Sequence, residues 1–131
     1  MAKSKWNDKA VLQMVKQRVN KRLELVGEFV VDRAIFNISG HAGKDLQAVD
    51  TGRLMDSITY ATNGYLSKVR SKALAGDGVS KPQEDLTVKI GSNVEYAPYI
   101  EIGTSKITSR PFLRTALNEN IPEIKQILGA K

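Results

Sequence analysis

The sequence has no cysteine, one histidine, one tryptophan and four prolines. Without cysteine there is no disulfide scaffold, no thiolate metal site and no thiol nucleophile. With His41 as the sole histidine, neither a metal site built on a histidine pair nor a catalytic triad with a second histidine to support it is available. No stretch approaches the roughly 20 consecutive apolar residues that cross a bilayer. The opening MAKSKWNDK is basic but no apolar run follows it, so neither a signal peptide nor a membrane contact is expected, and synthesis and assembly are expected in a cytoplasm. Aromatic residues make up only 6%. Trp6 stands alone near the basic end and Tyr65 alone near the central loop, too few for a platform on which bases stack.

What is present fits one domain over residues 1–131, with 41% hydrophobic and 26% charged residues. A chain of this length buries about two-thirds of the surface that it exposes when unfolded. The formal charge is +6 and unevenly placed. Lys3, Lys5, Lys9, Lys16, Arg18, Lys21 and Arg22 face only Asp8 within residues 1–22, and the remainder is close to neutral. Such an end suits either a solvated helix face or contact with nucleic acid or an acidic protein surface.

Apolar residues at Val11, Val15, Val19, Leu23, Val26, Val30 and Ala34 recur every three or four positions and predict one long helix over Asn7–Ile38. Asn7 suits its N-cap, Trp6 and Val11 a hydrophobic staple, and Gly40 its stop. At on the order of 45 Å, such a helix outreaches a small domain, so its basic end is expected to project onto something else. Asp50 and Thr51 can cap a short helix, with Gly52 turning the chain into it and Leu54 and Ile58 facing the core. Strands are predicted at Ser57–Thr62, ended by Asn63 and Gly64, and at Leu86–Ile90 with Leu86, Val88 and Ile90 on one face.

Residues 64–85 are long for a hairpin connection and read as a mobile arm that orders in an assembly. Residues 94–103 hold a turn and then a short element that is helix or strand. Pro111 can open a helix through Phe112, Leu113, Ala116 and Leu117. Pro122 forces a restart capped by Asn120 and Glu123, which Gly129 ends. The fold class is α+β: a long N-terminal and a C-terminal helix on a small antiparallel sheet, with a long flexible loop between strands.

Enzyme signatures fail individually. Gly40–Asp45 resembles a phosphate loop only faintly, because Ile38 stands where the first glycine belongs and Asp45 where a magnesium-holding hydroxyl belongs. The Asn37-Ile38-Ser39 sequon carries no meaning without secretion. Glu95 and Glu101 do not read as a catalytic carboxylate pair, and Glu101 is expected to accept backbone or arginine hydrogen bonds. No cofactor and no metal is implied.

Two segments carry a family pattern. The first runs Val49-Asp50-Thr51-Gly52-Arg53-Leu54-Met55-Asp56-Ser57-Ile58. The second runs from Gly91 to Ser105 through Tyr96, Ala97, Tyr99, Glu101, Gly103 and Thr104, and is followed by Arg110-Pro111-Phe112-Leu113-Arg114. In order and kind these are similar to the tail-completion, or head–tail joining, proteins of long-tailed bacteriophages and prophages, over about residues 8–128. The resemblance implies a non-enzymatic subunit of a closed ring, six-fold, at the head-proximal end of the tail. Its neighbours there would be copies of itself, head connector proteins (adaptor or stopper), and the tail tube or tail terminator protein. The place implied is the virion tail or neck, assembled in the host cytoplasm, with contact to passing DNA open through Lys68, Arg70 and Lys72. Tyr99 joins these as a candidate interface residue. The competing reading is a free nucleic-acid-binding protein acting through its basic N-terminal helix.

Overall fold

In the computed structural model, residues 5–39, 51–105, 109 and 111–129 are described. The three-to-four-residue apolar period becomes helix α1, Lys5–Ser39, of 35 residues, about 52 Å at ~1.5 Å per residue. Asn7 lies inside it and not at its N-cap. Nothing around Asn7 (no proline or glycine) breaks the backbone pattern there. Gly40 lies outside the described residues.

Only the C-terminal half of α1 enters the core. Val26, Val30, Val31, Ala34 and Ile38 are buried, whereas Val11, Leu12, Met14 and Val15 are exposed. The projecting amino end expected from the helix length is therefore what the chain forms.

Helix α2, Thr51–Ser57, follows. Thr51 is its first residue rather than its cap, Gly52 lies within the helix, and Asp50 falls outside the described residues. Ser57, expected in a strand, instead ends α2, since its hydroxyl donates back to the carbonyl of Leu54 at 2.6 Å. Leu54 and Ile58 are fully buried, as their spacing predicts.

The sheet has three strands in the order β2-β1-β3: β1 Thr59–Thr62, β2 Tyr65–Leu66 and β3 Val88–Gly91. Asn63 and Gly64 form the turn of a β1–β2 hairpin, with Thr62 opposite Tyr65, while Tyr60 lies opposite Ile90 on the other side of β1. Leu86 does not join the face of Val88 and Ile90. Its φ of 55° is a left-handed conformation incompatible with a paired strand, so β3 begins later.

The unassigned element is a helix, α3 Ala97–Ile102, closed by Gly103 at φ 89°, where only glycine sits without strain. Helix α4, Phe112–Asn118, opens after Pro111, and α5, Ile121–Ile127, restarts at Pro122 as expected. Asn120 holds the N-cap position of α5, yet its amide donates to the Ala116 carbonyl at 2.8 Å and so closes α4 instead. Helix α1 lies across the sheet and against α4 and α5. At Gly27 it comes so near the sheet that a methyl group would stand 2.5 Å from the Tyr60 ring.

Candidate functional site: the joint of the motif segments

Three stretches distant in sequence meet on one side of the molecule, and the side chains that join them come from the motif segments. Arg53, on α2, reaches Asp77 in the middle of the 64–85 segment with two hydrogen bonds, Nε to Oδ2 at 2.8 Å and Nη2 to Oδ1 at 2.9 Å. This geometry is the strongest that a side-chain ion pair adopts. Asp77 is only 5% exposed, and Arg53 holds its carboxyl below the usual carboxylate range, helped by the backbone N–H of Leu74. Asp77 in turn raises the Arg53 guanidinium above its already high range. Arg53 also lies 3.7 Å from Glu95 and stacks 5.9 Å above the Tyr96 ring. One arginine thus links α2, the long connection and the start of α3.

The long connection is secured elsewhere as well. The backbone N–H of Arg70 donates to the Asp56 carbonyl, and that of Val79 to the Thr59 hydroxyl. The Arg70 guanidinium donates to the carbonyls of Met55 at 2.6 Å and Ile58 at 3.1 Å, beside Asp56 at 3.7 Å. Arg70 therefore satisfies the open carbonyl end of α2. Of the three basic residues suggested for DNA, Lys68 and Lys72 are exposed, while Arg70 is engaged within the chain. The segment read as an arm is folded back on the body in this structure, because Asp77 and Arg70 find charge and carbonyl partners there. It also supplies β2, which its composition did not signal.

Ser57 and Ser92 share a hydrogen bond of 2.6 Å between their hydroxyls, drawing the first motif to the second. Glu101 then connects the second motif to the third: its carboxylate accepts the backbone N–H groups of Leu113 at 2.9 Å and Arg114 at 3.3 Å. Glu101 thereby satisfies open donors in the first turn of α4, as expected of it. Val30, Ile90, Glu101, Leu113, Arg114 and Leu117 line an apolar hollow of about 370 Å³ beside this joint.

Structure sorts the remaining motif residues by burial. Ala97 and Phe112 are buried, Tyr96 and Leu113 partly so. Gly103 closes α3, Pro111 precedes α4, and Thr104 is exposed. Arg110 lies outside the described residues, as does His41. Tyr99 is 57% exposed and Ile102, within the same motif segment, 73%. Nothing local marks Ile102 as a surface residue; only the packing of Ala97 and Ile100 inward turns it out.

These joints are structural. Among the described residues there is no group of His, Asp or Glu arranged to hold a metal ion. Residues 7–103, which carry α1, α2, the sheet and α3, match the family model described as "Bacteriophage HK97-gp10, putative tail-component". The chain belongs to this family. No curated protein and no solved structure matches it. The likeness to phage head–tail joining proteins holds at the family level, and the tail component is a structural part of the virion that meets other phage structural proteins. The match stops before Arg110-Pro111-Phe112-Leu113, which lies outside it. Among the described residues no helix is long and apolar enough to cross a membrane.

Proposed function

We propose that this tail component acts without catalysis as one subunit of a closed, six-membered ring at the head-proximal end of the tail, joining the tail to the head connector. The observation that carries this reading is a pair of different exposed apolar surfaces on two separate elements: Val11, Leu12 and Val15 on the projecting end of α1, and Tyr99 and Ile102 on α3. Rings close through heterologous contacts, in which one face of a subunit meets a different face of the next. Exposed apolar surface of this kind marks protein contact. The neighbours in the neck are head adaptor or stopper proteins on one side and tube or terminator proteins on the other. Lys68 and Lys72 are the side chains that would face passing DNA. The domain functions as one unit over 1–131.

The test is a phage lysate lacking the protein, viewed by electron microscopy. Separate filled heads and finished tails are expected, rescued by the native chain and not by Tyr99→Asp with Ile102→Asp. Joined particles in the absence of the protein would overturn the reading. Replacing Lys68 and Lys72 by Ser should slow DNA delivery without preventing joining; unaltered delivery removes the DNA contact.

A further inference from the structure

The face of α1 turned away from the core carries an ordered pattern. Met14, Arg18, Lys21, Leu25, Glu28, Asp32 and Phe36 succeed one another at intervals of three or four residues, so they lie on one line along the helix, and all are exposed. Met14, Leu25 and Phe36 are 53%, 55% and 61% exposed, and they stand three helical turns apart. Between the first two lie cations, and between the last two lie anions. Arg33 is turned aside onto the Phe36 ring, 5.0 Å from its centre. A basic hollow lined by Met14, Gln17, Arg18, Lys21 and Arg22 lies on the amino-terminal side of Leu25, and an acidic one lined by Leu25, Glu28, Phe29, Asp32 and, from the edge of α5, Ile127 lies on the other.

These charges cannot satisfy one another within the chain. Arg18 and Asp32 are fourteen residues apart on one helix, about 21 Å, against the ~4 Å of an ion pair. When a second copy of the helix lies antiparallel with Leu25 on the two-fold axis, Arg18 comes opposite Asp32, Lys21 beside Glu28, and Met14 opposite Phe36, so all four charges of both copies are matched at once. A parallel pair in register would set like charges against each other along the whole line, and a staggered parallel pair would match only half of each copy's charges. We propose that two copies of the chain associate through this face as an antiparallel α1–α1 pair.

This pairing uses none of the ring-contact residues Val11, Leu12, Val15, Tyr99 and Ile102, although Val11 and Val15 adjoin Met14 at its end, and the charge variants below leave all five unchanged. The line from Met14 to Phe36 is about 33 Å long. A strip of that length and one helix wide covers less than the ~800 Å² per partner of a standard interface. The pair is therefore expected to form reversibly and to weaken with salt.

The native chain contains no cysteine, so single cysteine variants report the geometry directly. Under mild oxidation Leu25→Cys should give a disulfide-linked dimer. Met14→Cys and Phe36→Cys should do so poorly alone and well when mixed. In sedimentation equilibrium, R18E/K21E and E28K/D32K should each associate about tenfold or more weakly than the native chain. Mixed together, these two should form a heterodimer, since one line is then wholly acidic and the other wholly basic. Circular dichroism of each variant should stay native, because every position is on the surface. A native chain that stays monomeric at hundreds of micromolar overturns the proposal. So does equal self-linking at positions 14, 25 and 36, or assembly that passes directly to rings, which would mean a staggered head-to-tail contact instead.

Discussion

Arg53 and Asp77, twenty-four positions apart, are locked by two hydrogen bonds of 2.8 and 2.9 Å, one from Nε and one from Nη2. Asp77 in turn receives the backbone N–H of Leu74, and its own carbonyl receives that of Asn93. The pair is the point through which α2, the long connection and the entry to α3 hold a common position. Removing Arg53 leaves Asp77 without its counter-charge out of water, whereas removing Asp77 leaves Arg53 the longer contact to the exposed Glu95.

The pH dependence of this pair has a definite sign. Asp77 titrates below the ordinary carboxylate range in the folded chain, so it contributes stability that is present above that range and lost as pH falls through the folded value. Asp77→Asn should therefore unfold more easily than the native chain at neutral pH. The difference should shrink from about pH 4 downward. Urea midpoints at pH 7, 4 and 3 check this; a constant difference across the three would show that the charge is irrelevant.

Tyr60 gives the opposite limb. Burial, aided by the nearby Tyr65, Glu28 and Glu24, pushes its phenol from 10.0 up to about 12. A raised phenol pKa leaves stability intact below the unfolded value and removes it as pH rises from about 10 to about 12. The native chain should lose stability across that window more steeply than Tyr60→Phe. Identical slopes from thermal melts would refute the assignment.

At Gly27 the approach of α1 to the sheet leaves no space for a methyl group, with Tyr60 ring and Cβ atoms at 2.5 to 2.7 Å from where it would sit. Gly27→Ala should destabilise by about 1–3 kcal/mol from overpacking, despite the better helix propensity of alanine. In a Tyr60→Ala background the same substitution should become neutral or favourable. A cost that persists there would place the conflict elsewhere.

Glu101 tests the joint between the second and third motifs. Loss of its two acceptor contacts to the first turn of α4 should cost about 0.5–2 kcal/mol in Glu101→Ala, as for other helix caps. Hydrogen exchange at Leu113 and Arg114 should rise in that variant while exchange in β1 is unchanged. Uniform acceleration over the whole chain would argue against a local cap.

Much of the architecture could be read before any coordinates. The long helix, the short helix at Leu54, the two strands as separate elements, the start at Pro111 and the restart at Pro122 follow from signals that lie within a few residues of one another. Two of the errors, at Ser57 and Asn120, share a cause. Ser57 looks like a strand residue because it precedes a β-rich run, but its hydroxyl reaches back to Leu54 and across to Ser92. Asn120 looks like the cap of the helix after it and instead closes the helix before it. A side chain with two local partners within reach does not announce which it takes.

The candidate site was legible as motifs but not as a joint. Family membership is carried by residues readable in the linear chain, and so are the exposed basic end and the role of Glu101 as an acceptor of backbone N–H groups. That Arg53 closes on Asp77, that Arg70 bonds the carbonyls of Met55 and Ile58, that β2 forms and that Ile102 faces outward were settled by folding alone. Periodicity and capping act over three or four residues and leave a trace in the sequence. An ion pair across twenty-four positions, or the choice of which face of α3 is covered, depends on which surfaces the compact chain brings together.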